Sequence, residues 1–212
     1  MTIEHMTDSD AETKGIREPN NTLEPRLIVI RGLPGSGKST VASELQARMS
    51  NKTVLVDPDA LDKDSEEYKQ FSENLVKSQP SVSEKVHPFR YLLHSAETAL
   101  KNGNTVIWNQ PFTDLDNLEY TIAHLEKQHQ GEEQNKPLPV LVVNMEVDPE
   151  IAWDRVDKRQ SSGGHGMTRE KFDSYQTKLQ TLNGQFQHQA LHVRAEQPVE
   201  ATVEQVMNHI SK

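Results

Sequence analysis

Residues Arg31 to Thr40 read R-G-L-P-G-S-G-K-S-T. Gly32, the four residues Leu33, Pro34, Gly35 and Ser36, and then Gly37, Lys38 and Ser39 satisfy the spacing G-x-x-x-x-G-K-[ST], with Thr40 closing the run. Gly32, Gly35 and Gly37 allow a backbone path that a Cβ blocks, so successive N–H groups turn inward toward phosphate oxygens. Lys38 supplies an ammonium for the terminal phosphates, and Ser39 a hydroxyl suited to Mg²⁺. Residues 32–40 therefore read as the lining of a phosphate site.

Both flanks agree with that reading. Leu27 to Ile30 (L-I-V-I) is a short continuous apolar run, the pattern of a strand buried on both faces. After the loop Val41, Leu45 and Met49 recur at helical spacing. The loop thus ends at a helix N-terminus, whose partial positive charge favours an anion.

A chain of 212 residues suits one α/β domain with a sizeable core. A net charge of -9 argues against broad nucleic-acid or anionic-membrane binding, and a small-molecule substrate is expected. The absence of cysteine excludes disulfides, thiolate metal sites and a cysteine nucleophile. No apolar run approaches a membrane span and no signal-peptide core opens the chain, so a cytoplasmic protein is the simplest expectation. Residues 1–24 hold six acidic and two basic residues and few apolar ones, the composition of a mobile tail. Residues 25–212 then form the folded domain.

Thr53 to Val56 (T-V-L-V) is the second predicted strand and runs into Asp57-Pro58-Asp59. In parallel sheets ligands gather beyond the carboxyl ends of the strands, which brings this acidic pair toward the phosphate loop. Asp59 reads as the base that accepts a proton from a substrate hydroxyl, and Asp57 as a holder of Mg²⁺ or its waters. The competing reading is that both cap the next helix, although capping explains one carboxylate and not two. Ser65 to Lys77 is an amphipathic helix. His87-Pro88-Phe89-Arg90 opens another, where Arg90 would grip an anionic acceptor and His87 hydrogen-bond it, against the plainer reading of a buried helix-start histidine and a solvated arginine.

Thr105 to Trp108 is the third strand, followed by Asn109 and Gln110. Either Asp57 or Asp59 supplies the negative charge that an amide at 109 lacks, or Asn109 and Gln110 serve the substrate. A helix begins near Thr113-Asp114, and Glu126 to Pro137 reads as a loop. Pro139 to Val147 is the fourth strand, and the helix after Asp148-Pro149 carries Arg155 and Arg159 four residues apart. Ser161 to Gly166 is glycine-rich, so residues 157–170 read as a lid that closes over a nucleotide and brings Arg155 and Arg159 to the transferring phosphoryl group. The alternative is a solvated helix end with cations at its C-terminus. A helix from Thr168, a short strand at Leu191 to Val193 and a helix at Val199 to Ile210 complete the chain.

Laid out in this order, the chain resembles the small P-loop kinases of the nucleoside-kinase-like fold, in particular the group that includes zeta toxins and the 5′-hydroxyl kinase domain of polynucleotide kinases. The pieces that carry the resemblance are G-L-P-G-S-G-K-S-T at 32–40, V-D-P-D at 56–59, N-G-N-T-V-I-W-N at 102–109 and D-P-E-I-A-W-D-R-V-D-K-R at 148–159. It implies a three-layer α/β sandwich around a five-stranded, mostly parallel sheet. It also implies ATP with Mg²⁺, Asp59 as the catalytic base, and ATP contacts from Arg155 and Arg159. The chain departs from those relatives in having Leu61, Asp62 and Lys63 where an arginine is common, and Asn109 where an acid is common. The expected activity is phosphoryl transfer from ATP to a hydroxyl of a small metabolite. A nucleotide-sugar kinase of the zeta-toxin type and a non-kinase ATP-binding switch stand as alternatives.

Overall fold

The computed structural model describes residues 26–49, 52–130, 137–164, 166–182, 184 and 186–211. Five parallel strands lie in the order β2-β3-β1-β4-β5: β1 (Leu27–Gly32), β2 (Thr53–Val56), β3 (Thr105–Asn109), β4 (Val140–Glu146) and β5 (Gln189–Arg194). The central β1 is buried along its whole length, as its unbroken apolar run requires. Its alternate residues feed two cores. Leu27 and Val29 join Val106, Trp108 and Val142 under α3 (His87–Lys101) and α4 (Leu115–Gln130). Ile28 and Ile30 join Ile107 and Val143 under α1 (Lys38–Arg48) and α7 (Val199–Ile210). The result is a three-layer sandwich in which every strand pairing is parallel.

Three further helices sit around the carboxyl ends of the strands or beside them: α2 (Glu66–Ser78), α5 (Pro149–Ser161) and α6 (Arg169–Lys178). Side-chain caps set their starts. Ser65 accepts from the Tyr68 amide, Asp148 from the Glu150 and Ile151 amides, and Thr168 from the Lys171 amide. Leu33 of the phosphate loop packs with Ala152, Val156 and Phe172, which fastens the loop to α5 and α6.

Several boundaries differ from the sequence reading. β1 continues through Arg31 to Gly32 because both residues keep register with Asn144 and Met145 of β4. α4 does not stop at Leu125: His129 lies one turn on, buried on the same face, and the helix runs to Gln130. Much of the expected lid is ordered helix, since α5 extends to Ser161 and α6 begins at Arg169, leaving 162–168 as the connection. The acidic segment 1–24 and most of the loop before Pro137 lie outside the described residues.

Candidate functional site

The phosphate loop owes its path to close packing as well as to backbone freedom. Gly35 has φ +82°, and a Cβ there would lie 2.2 Å from the Ala152 carbonyl oxygen of α5. No side chain fits between the loop and that helix. Lys38 opens α1, is buried, and donates through Nζ to the Leu33 carbonyl at 2.8 Å, closing the loop on itself. Burial lowers its pKa from 10.5 to about 8; Asp59 and then Asp57 oppose that shift, and Arg159 adds to it. The two acids and Arg159 therefore act on one ammonium.

A cleft of about 710 Å³ opens over the loop. Its phosphate end is lined by Pro34, Gly35, Gly37, Lys38, Ser39 and Thr40, with Asp57, Asp59, Asn109, Arg155 and Arg159 around it. β2 and β3 deliver the polar floor because they are paired in register and end together, Val56 opposite Trp108. Asn109 Nδ2 donates to Asp57 Oδ2 at 2.6 Å and to Ser39 Oγ at 3.0 Å. Asp57 does cap the short turn Pro58–Ala60, through Oδ1 and the Asp59 amide at 2.9 Å, while its other oxygen serves the cleft. Ser39 and Asp57 offer the hard oxygen donors that Mg²⁺ prefers, so they fit that ion. Among the described residues no cluster of three or more His, Asp or Glu forms a metal cage. These donors suit an ion that also takes ligands from a phosphate chain.

Several residues singled out in the sequence stand elsewhere. Gly32 and Leu33 do not line the cleft: Gly32 donates its amide to the Pro111 carbonyl, and Leu33 is buried in the α5–α6 cluster. Ser36 lines a second cavity instead. His87 and Arg90 do not line the cleft either. His87 is 2 % exposed and meets Ser72 Oγ of α2 through Nδ1 at 2.7 Å, the plain reading of a helix-start histidine. Helical phase explains this: Pro88, Phe89 and Leu92 turn to the cleft, and positions 87 and 90 turn away. Arg155 does reach the site, but it donates to the Ala195 carbonyl at 3.2 Å from both terminal nitrogens and to the Gly35 carbonyl at 3.4 Å. It braces the loop, whereas Arg159, also on α5, lines the cleft with no hydrogen bond from its side chain to another described residue.

Apart from Gln110, the far wall of the cleft was not legible in the sequence. It combines Phe89, Leu92, Phe112 and Met167 with Gln110, Asn117, Lys85, Lys171 and Tyr175. Gln110 is oriented by Trp108, whose indole N–H donates to its Oε1 at 3.0 Å. Lys171 and Tyr175 lie one turn apart on α6, a spacing that would have pointed to one face had the helix been placed over the site. The second cavity, about 340 Å³, lies between Gly35–Gly37, Arg155 and the segment Ala195 to Val199 after β5. Nothing in the sequence marks that segment.

A family model described as an AAA domain matches residues 27–182. No curated protein matches the chain. Among solved structures, a candidate kinase from Chloroflexus aurantiacus superposes with a TM-score of 0.60 at 19 % identity, covering 88 % of this chain and 98 % of its own. A sugar kinase from a Janibacter species gives 0.56 at 18 %, covering 88 % and 95 %. A gluconokinase from Sinorhizobium meliloti gives 0.54 at 15 %, covering 88 % and 92 %. These likenesses describe a shared fold spanning nearly the whole length of each neighbour.

Proposed function

The chain belongs to the AAA domain family, and on that premise we propose that it is an ATP- and Mg²⁺-dependent phosphotransferase acting on a hydroxyl of a small molecule. The observation that carries the proposal is one cleft lined by Lys38, Ser39, Asp59 and Arg159 with a second, partly apolar wall opposite them. Within the family we assign the chain to the zeta-toxin-like and polynucleotide-kinase-like group, on the acid pair after β2.

The loop amides and Lys38 bind the β and γ phosphates, and Ser39 with Asp57 would hold Mg²⁺, which would supply positive charge against the phosphate chain. Asp59 accepts the acceptor's hydroxyl proton as the new O–P bond forms; the bond from the γ phosphorus to the bridging oxygen breaks, and its electron pair leaves with ADP. Lys38 and Arg159 offset the developing charge. The second cavity shares Gly35, Gly37, Thr40 and Arg155 with the main cleft, so we assign the nucleobase to it, the nucleotide then spanning both cavities across the loop. The acceptor occupies the wall of Phe89, Gln110, Phe112 and Asn117.

Purified protein is expected to release ADP on addition of its acceptor from a metabolite pool, with ³¹P detection of a new phospho-species. Asp59→Asn should keep ATP binding and lose acceptor-dependent release by about 100-fold or more. Unchanged transfer in that variant would remove Asp59 from the base role. ADP release that no acceptor stimulates would instead favour an ATPase or switch.

A further inference from the structure

β3 ends beside the phosphate loop in an amide, and that amide touches a carboxylate. Asn109 is 4 % exposed; Nδ2 bonds both Asp57 Oδ2 and Ser39 Oγ, while Oδ1 is buried without a partner. Turning the amide over would set Oδ1 against the Asp57 carboxylate, acceptor against acceptor. The charge on Asp57 therefore decides which end of the amide faces Ser39. Asp57 is held from its other side as well, by the Asp59 amide. An aspartate at 109 would place two carboxylates in contact, which cannot both ionise cheaply.

We infer that the two residues have separate roles. Asp57 carries the negative charge that serves the divalent cation, and Asn109 is a positioning residue that holds the carboxylate and the Ser39 hydroxyl in one arrangement. Having accepted from Asn109, Ser39 Oγ keeps a lone pair for the cation and its own proton for a phosphate oxygen. The acid stands at the end of β2 and the amide at the end of β3. Exchanging the two keeps one carboxylate and one amide in contact, so it should preserve the cation's charged partner, with Ser39 Oγ then donating to the carboxylate at 109. This inference rests on the phosphotransferase reading above.

The test measures Mn²⁺ affinity of the protein–ADP complex by electron paramagnetic resonance titration, alongside ADP affinity in EDTA. Asp57→Asn is expected to weaken Mn²⁺ binding by about 10–100-fold while leaving ADP affinity in EDTA within about twofold. Asn109→Ala should weaken Mn²⁺ binding by roughly tenfold. The double variant Asp57→Asn with Asn109→Asp restores the carboxylate–amide contact and should recover Mn²⁺ affinity to within about threefold of the parent. Full Mn²⁺ affinity in Asp57→Asn, or no recovery in a folded double variant, would overturn the inference alone. A parent protein that binds no ADP would overturn the phosphotransferase reading on which it stands.

Discussion

Lys38 is the residue at which the cost of folding and the capacity to bind meet. Its ammonium is buried against one carbonyl oxygen, with no carboxylate in contact among the described residues, and its pKa falls to about 8. Between that value and the ordinary 10.5 the unfolded chain holds a proton that the folded chain has released. Stability therefore rises with pH through this window, because the penalty for burying the charge is present in full below it and fades across it. A polyphosphate favours the charged form, so binding draws a proton in. At about pH 8.5, calorimetric enthalpies of ATP binding should depend on the buffer's ionisation enthalpy, with affinity falling as pH rises. Lys38→Met should abolish that buffer dependence. Proton release on binding would contradict the assignment of Lys38 to the phosphates.

At the scale of elements, the far wall of the cleft is tied together by the segment that follows α6. The Gln180 amide donates to the Thr113 carbonyl at 2.9 Å, its carbonyl accepts from Arg31 Nη2 at 2.7 Å, and its Oε1 accepts from the Leu115 amide at 2.6 Å. One residue thus joins β1, the loop after β3 and the first turn of α4, which it caps from a distant part of the chain. Arg31 itself is fully buried, and burial lowers its pKa to about 10. Arg169 makes the matching link at the other end of α6, bonding Glu150 of α5 and lying over the Trp153 ring. Gln180→Ala should cost about 1 kcal/mol in urea denaturation and raise amide exchange at Leu115 and the first turn of α4. Exchange at that turn unchanged from the parent would show that the side chain does not cap the helix.

Taken as a whole, the molecule opens its cleft at the carboxyl ends of β1, β2 and β3, with α5 and α6 packed against the phosphate loop. A nucleotide bound there touches the folded state alone, so MgATP at about a hundred times its dissociation constant should add about 2.7 kcal/mol, roughly 5–10 °C in melting temperature for a chain of this size. ATP with EDTA should give a smaller shift, and no shift in either condition would count against the nucleotide site. That the phosphate loop, the acids after β2, Asn109, Arg155 and Arg159 meet around one cleft was legible in the sequence, as were the strands. Each depends on local spacing: a glycine pattern, an apolar run, a cap, or a residue at a strand's end. The amphipathic pattern also marked the start of α3 at His87, yet it could not say which way His87 and Arg90 face, since several neighbours compete for one helix surface. The far wall, the second cavity, the Gln180 clasp and the contact between Asp57 and Asn109 join residues distant in the chain. Local pattern carries no record of such meetings, because they are fixed by the strand order and by which helix faces the sheet buries; only the packed tertiary structure decided them.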